Sequence, residues 1–359
     1  MINQQKNLEL SLSERAGWLN DGIAGSSVCE SLKQLSEFKW LGYGVPERLG
    51  GVGGKLIDAV EAIATVSEQC LTSGYIFWCQ RAMIECLVVS SNRWLQERTL
   101  PELLQADCSG ATGLILGTEP LSIKSSLTKE TITLEGFLPW VSNLQPKNFI
   151  VVCAAQTVTG ESIIMAVPSS VRGLHRGEDL QLLGLQASWT STLDLNQVQL
   201  SRQWLVSETG YSFVSQIRPT LLFLQCGLSL GMVRRSLQET LQSINGINEE
   251  VLINRLQYGH LTLLNLEAQV RKLGILEAFD DLHFNQICEL YIALTRLALD
   301  SVWLELEAKG QTAYFKPSGT ARRLREVAFL PILSPSLLQL EQELKQSAKL
   351  QMQMLQDHL

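Results

Sequence analysis

The sequence predicts an α+β protein in three stretches: an N-terminal helical domain, a middle antiparallel β-barrel-like domain, and a C-terminal up-and-down four-helix bundle. Three observations carry this. Apolar residues recur at three- and four-residue spacing through residues 1–108. Short β-rich pieces punctuated by Gly, Pro and Asn fill 109–205. Long amphipathic helical segments then occupy 206–359, and helices of that length normally pack as an antiparallel bundle. At 359 residues, with 45% hydrophobic and 18% charged content, the chain can bury a large core and divide into two or three compact units.

In the first stretch, LSERAGWLNDGIAGSSVCESLKQLSEF reads as helix, and IDAVEAIATVSEQCLTSGYIFWCQRAMIECLVVS reads as a further helical run. Between them lies FKWLGYGVPERLGGVGG, residues 38–54, which either cradles a phosphate or turns a corner. A G-x-x-x-x-G-K-[ST] loop ending at Gly54-Lys55 would need glycine at Leu49 and a hydroxyl at Leu56. The dinucleotide pattern G-x-G-x-x-G breaks at Glu47 and again at Leu56. The glycines are therefore expected to supply positive φ and close packing at a turn.

In the second stretch TITLEGFLPWVS, NFIVVCAAQ, SIIMAVPSS and STLDLNQVQL are strands. In the third, IRPTLLFLQCGLSLGMVRRSLQETLQSI, EEVLINRLQYGHLTLLNLEAQVRKLGILEAF and FNQICELYIALTRLALDSVWLELEAKG are bundle helices, and Arg218-Pro219 is expected to start the first. A last helix follows Pro335.

Composition excludes several functions. A net charge of -7 argues against a nucleic-acid partner, which draws on clustered Lys and Arg; the short cluster Arg322, Arg323, Arg325 is flanked by acids. No run of about 18 apolar residues offers a membrane span, and the N-terminus lacks a signal peptide's basic start and apolar run, so a cytoplasmic protein is expected. The eight cysteines contain no C-x-x-C pair and sit mostly in apolar surroundings, as reduced structural thiols do. Four histidines without an H-E-x-x-H or i, i+4 pair leave no zinc site, and no G-x-S-x-G elbow precedes a helix.

The domain order and a set of junction motifs resemble the acyl-CoA dehydrogenase superfamily of flavoproteins, over nearly the whole chain. WLGYGVPERLGGVGG is similar to an early family segment that turns from helix to helix. Thr118-Glu119-Pro120 is similar to the T-E-P that opens the middle domain against the flavin, where Thr118 would bond the pyrimidine side of the ring. The glycine- and serine-rich loop that follows in the family, which helps cover the CoA moiety, is LSIKSS here. In Pro139-Trp140-Val141-Ser142-Asn143, the resemblance implies that Trp140 packs on an isoalloxazine and the Ser142 hydroxyl addresses flavin N5, with Val141 between them. Taken alone, a Trp in a strand is more often core. The run Leu183-Gly184-Leu185-Gln186-Ala187-Ser188-Trp189-Thr190 matches the end of the family's β domain, with Gln186 in place of arginine, and is read as architecture. Arg218 matches an arginine near the substrate; a structural ion pair with a nearby acid is the competing reading.

The resemblance also isolates what is missing. The family's catalytic glutamate lies eight residues after an R-D pair; here Arg325-Glu326 is that pair and the position is Ser334. A serine hydroxyl does not abstract a proton α to a thioester without an activating base. Glu208 stands too far upstream to replace it. The nucleotide-holding "GG.GY" turn is reduced to Lys309-Gly310-Gln311-Thr312-Ala313-Tyr314, and Arg255-Leu256-Gln257-Tyr258-Gly259 is a displaced lookalike of a second interface element. Two functions of different class follow. One is an FAD-dependent oxidoreductase lacking the usual glutamate, on a small-molecule substrate such as an acyl thioester, with flavin monooxygenase chemistry as a variant. The other is a scaffold that keeps the fold without catalysis. Either is expected as a homo-dimer or homo-tetramer.

Overall fold

A computed structural model describes residues 28–114, 121–244 and 249–356, together with Leu12 and Ala16. From Val28 to the first strand the described residues form α1 (Val28–Glu37), α2 (Leu56–Gln69), α3 (Leu71–Val89), α4 (Arg93–Arg98) and α5 (Leu100–Leu104). The single helical run expected over 57–90 breaks at Cys70, whose extended backbone (φ -155°, ψ 108°) separates α2 from α3. Its Sγ accepts from Ser73 N at 3.4 Å and caps α3.

The glycine run between α1 and α2 turns a corner and leaves no phosphate cradle. Its amides are used internally: Gly44 N donates to Gly53 O, Val52 N to Gly42 O, and Gly53 N to Val45 O. Gly51 is required by close approach, since a Cβ there would lie 2.1 Å from Val45 O.

Eight strands follow: β1 (Ser109–Gly113), β2 (Ile123–Leu127), β3 (Thr131–Val141), β4 (Phe149–Thr157), β5 (Ser162–Pro168), β6 (Leu174–Asp179), β7 (Ser191–Ser201) and β8 (Leu205–Ser207). They form one sheet in the order β6-β7-β3-β2-β4-β5-β8, with β1 also on β4. The sheet is mostly antiparallel, as expected, with parallel pairing at β4 to β1 and β2. Alternation fixes which face a residue occupies but not the direction of its neighbour. The inner faces enclose a core of their own, including Leu134, Val151, Met165 and Leu195. Strand β4 is buried on both faces: Phe149, Val151, Cys153 and Ala155 point into that core, while Ile150, Val152 and Ala154 join the helical core.

The C-terminal helices are α6 (Gly210–Leu241), α7 (Glu249–Gly274), α8 (Asp281–Lys309), α9 (Gly319–Val327) and α10 (Leu337–Gln356). Helix α6 begins at Gly210, not at Arg218-Pro219, so Pro219 lies inside it. A Cβ on Gly210 would meet Ser162 Oγ at 2.5 Å, which seats the helix start directly on β5. Helix α6 packs along both α8 and α2, and N-terminal and C-terminal helices share one continuous apolar core. The crossing with α2 is close enough that a Cβ on Gly231 would lie 2.4 Å from Ala64 O. Among the described residues no helix is long and apolar enough to cross a membrane.

Buried charges fasten α9. The Glu305 carboxylate, 0% exposed, accepts from Arg323 Nε at 2.8 Å, Thr320 Oγ1 at 2.5 Å and Lys309 Nζ at 3.0 Å, and pairs again with Arg323 Nη2. Beside it Arg322 Nη1 donates to Glu326 Oε2 at 2.8 Å and Nη2 to Gln69 O at 3.2 Å. The basic cluster of the sequence is thus largely internal, and it fixes the helix that leads into Phe329–Ser334.

Candidate functional site

Three elements meet at one apolar cavity of about 510 Å³: α3 with Tyr75, Trp78 and Cys79, the end of β3 with Trp140 and Ser142, and the segment after α9 with Phe329 and Ser334. That volume suits a small organic ligand. A second cavity of about 240 Å³ adjoins it, lined by residues of 181–185, Ser188, Thr190 and Arg325. Tyr75, Trp140, Phe329 and Ile332 border both.

The shared wall is aromatic. Trp140 and Phe329 are nearly parallel, with centroids 6.3 Å apart and planes at 14°. Tyr75 meets Phe329 edge-on at 4.9 Å and stacks with Trp78 at 5.9 Å. Trp140 remains 45% exposed, so its rim is open to the cavity side.

Ser142 is buried, and its Oγ accepts from the Tyr75 hydroxyl at 3.0 Å and lies 2.7 Å from Thr190 Oγ1, which is in turn 2.7 Å from Ser188 Oγ. Burial pushes the Tyr75 phenol well above its ordinary value, so it stays a neutral donor. Burial likewise raises the Cys79 thiol, which is no thiolate at neutral pH. The neighbouring Asn143 builds the site: at φ +64°, its Nδ2 donates to Gly110 O at 2.8 Å and to Gln80 Oε1 at 3.1 Å. Gln80 Oε1 also accepts from Gly110 N at 2.6 Å, tying α3, β1 and the end of β3 together.

Of the sequence-predicted residues, Trp140, Ser142 and Ser334 come together at this cavity. Val141, 1% exposed, turns the other way into the sheet's own core, as strand alternation requires. Thr118, with Glu119 and Pro120, lies outside the described residues. Arg218 lines neither cavity: Nη2 donates to Glu343 Oε1 at 2.8 Å and its guanidinium lies 4.9 Å over the Phe284 ring. Glu208 is on the surface, paired with Arg202 at 3.0 Å. Arg255 is paired with Glu307, and Tyr314 is 76% exposed.

Tyr75 and Gln80 were not foreseen. Each sits in a largely apolar helical run where an aromatic or an amide reads as core, and their partners are distant in sequence.

Chemically, the cavities are marked by what does not line them. Among the described residues neither contains a carboxylate or a histidine, and Arg325 is the one lining residue with a permanent charge. The Ser334 side is fixed through its carbonyl, which accepts from Gln225 Nε2 at 3.0 Å.

Residues 17–107 match the family model described as acyl-CoA dehydrogenase, N-terminal domain. No curated protein matches the chain in sequence. Among solved structures, butyryl-CoA dehydrogenase from Megasphaera elsdenii is 14% identical with a TM-score of 0.82, over 97% of this chain and 98% of that one. The structure titled PigA with FAD and proline is 14% identical with a TM-score of 0.80, over 97% and 98%. The dibenzothiophene monooxygenase TdsC from Paenibacillus sp. A11-2 is 15% identical with a TM-score of 0.79, over 96% and 95%. At these identities the likeness is one of fold across the full length, and the N-terminal match names the same group. Residues 17–107 thus match the acyl-CoA dehydrogenase N-terminal domain, and the chain as a whole shares its fold with solved acyl-CoA dehydrogenases.

Proposed function

We propose that this protein is an FAD-dependent oxidoreductase of the acyl-CoA dehydrogenase type whose reaction does not use a carboxylate at the usual position. The observation that carries the reading is the convergence of Trp140, Ser142 and Ser334 on one apolar cavity. A neighbour of the same fold is titled with FAD. These residues fit a flat ring: the exposed rim of Trp140 offers an aromatic surface, and the Ser142 hydroxyl can present a hydrogen to the cavity when Thr190 donates to it. Bound flavin would supply hydride-accepting chemistry. The chain's own residues would stack and orient that ring, and the apolar lining of Trp78, Leu114, Leu138 and Leu333 would keep water from it.

Among the described lining residues there is no carboxylate or histidine, so they offer no base for proton abstraction from an acyl thioester and no activating partner for the Ser334 hydroxyl. The reading therefore favours a substrate whose oxidation needs no resident carboxylate, and monooxygenase chemistry, which a second neighbour is named for, meets that condition. A second reading, a binding scaffold without flavin, is favoured by the contacts Ser142 already makes with Tyr75 and Thr190 and by Phe329 against Trp140. Self-association belongs to either reading: Tyr258, Leu261 and Leu264 of α7 and Trp303 of α8 are all more than half exposed, an apolar face suited to a second copy, and sedimentation analysis would test it.

The deciding experiment is the visible absorbance of the purified protein before and after incubation with FAD. A bound-flavin spectrum supports the oxidoreductase; a colourless protein that ignores FAD overturns it in favour of the scaffold.

A further inference from the structure

A chain of buried hydroxyls links the two cavities. Ser188 Oγ and Thr190 Oγ1 are 2.7 Å apart, Thr190 Oγ1 and Ser142 Oγ are 2.7 Å apart, and the Tyr75 hydroxyl donates to Ser142 Oγ at 3.0 Å. Ser188, Thr190, Ser142 and Tyr75 are 0%, 1%, 4% and 5% exposed, so bulk water does not compete for these bonds. The ends face different spaces. Ser142 lines the larger cavity, and Ser188 lines the smaller, whose rim residue Leu183 is 72% exposed.

Valence decides what such a chain can do. A serine hydroxyl has one hydrogen and two lone pairs. Tyr75 occupies one lone pair of Ser142. When Thr190 donates to the other, the Ser142 hydrogen has no partner within the chain and is left for the cavity. When Ser142 donates to Thr190, a lone pair faces the cavity instead. The polarity of the Ser188–Thr190 bond thus sets whether Ser142 gives or takes a proton.

We propose that Ser188, Thr190 and Ser142 form a proton relay between the two cavities, with Tyr75 as the positioning residue that holds Ser142 in line. In one passage Ser188 accepts a proton from solvent in the smaller cavity and hands its own to Thr190. Thr190 hands its own to Ser142, and Ser142 releases its own to an anionic centre in the larger cavity. Each oxygen forms one O–H bond and breaks one, and no electrons move along the chain. It ends with reversed polarity and resets by hydroxyl rotation. The relay offers a proton path in a site whose described lining holds no carboxylate, and burial supports Tyr75 as a constant neutral donor. It rests on the flavin reading, which supplies the group that gains a proton on reduction.

The test uses the full chain loaded with FAD and photoreduced without oxygen by a tertiary-amine donor. Loss of visible flavin absorbance reports electron arrival, and an indicator dye in weakly buffered solution reports proton uptake. In the native protein the two traces should coincide. In Thr190→Val and Ser188→Ala the absorbance should fall at the native rate while proton uptake lags at least about tenfold, and Thr190→Ser should restore coincidence. Ser188→Ala removes one oxygen at the end of the chain and carries the comparison where Thr190→Val disturbs packing. A purely structural role would weaken FAD binding or slow both traces together. Coincident traces in both variants overturn the relay and leave the flavin reading standing; a native protein that takes up no FAD overturns both.

Discussion

Replacing Glu305 by glutamine should cost about 3 kcal/mol of stability at neutral pH, and the structure gives the reason for that size. The carboxylate is fully buried and receives Arg323 through both oxygens, with Thr320 and Lys309 on Oε1. Glutamine keeps one acceptor and turns an NH2 toward the Arg323 donors, leaving a buried guanidinium beside a neutral group. Breaking a buried pair costs about 3–5 kcal/mol. The lower end applies because Glu239 still pairs with Lys309 and lies 3.9 Å from Arg323 Nη2. The assay is urea unfolding followed by circular dichroism, with the double variant Glu305→Leu, Arg323→Met as control; apolar replacement of both partners should recover most of the loss. The pH dependence follows from the same contacts. Burial alone would raise the Glu305 carboxyl, but Arg323, Thr320 and Lys309 together hold it below its ordinary 4.5. A depressed carboxyl stabilises the fold fully above 4.5, and that contribution disappears as pH falls through the lower folded-state value. The Glu305→Gln protein should lack this part of the acid limb. A loss below about 1 kcal/mol, or an unchanged acid limb, would refute the view that this cluster anchors α9 and the Phe329–Ser334 segment behind it.

Gly231→Ala should lower stability by about 1–3 kcal/mol, read as a fall in melting temperature, because its Cβ meets α2 backbone at Ala64 O and Glu68 N, 2.4 and 2.7 Å away; an unchanged melting temperature would show that the helix crossing can open. Trp140→Ala should weaken FAD uptake about two- to tenfold, the worth of one aromatic stack, measured by absorbance titration; unchanged uptake would remove Trp140 from the ring site. Ser334→Glu should place a carboxylate of raised pKa in the apolar cavity and confer exchange of Cα deuterium from a labelled acyl-CoA, detected by mass spectrometry, where the native protein exchanges none; exchange by the native protein would mean that another base serves it. Arg218→Ala should cost about 1–2 kcal/mol from its Glu343 pair and Phe284 contact and leave FAD uptake intact; loss of uptake in a folded variant would restore Arg218 to the site.

How far the sequence reveals this molecule depends on the range of each interaction. Helices and strands were legible because period 3.6 and period 2 are local, and NFIVVCAAQ reads as a strand on that ground, while its burial on both faces emerges only in the structure. The break at Cys70 was not legible, because apolar residues at helical spacing resume beyond it and the stop comes from one residue's backbone and a thiol cap. Trp140, Ser142 and Ser334 were legible through short motifs, and they do meet. Tyr75 was hidden because its hydroxyl finds Ser142 across 67 positions, and nothing near Tyr75 signals that encounter. Ser188 and Thr190 were read as architecture because a hydroxyl chain is a property of assembled elements.

The double burial of β4 also bears on how the protein can be taken apart. A fragment confined to the strand region would carry Ile150, Val152 and Ala154, with Ile164 and Ala166 of β5, as a bare apolar strip where the helices now sit. Such a strip beside unpaired strand edges invites self-adhesion. Grafting, truncation or recombination would therefore have to move strands and helices together, which makes the whole chain the smallest portable piece.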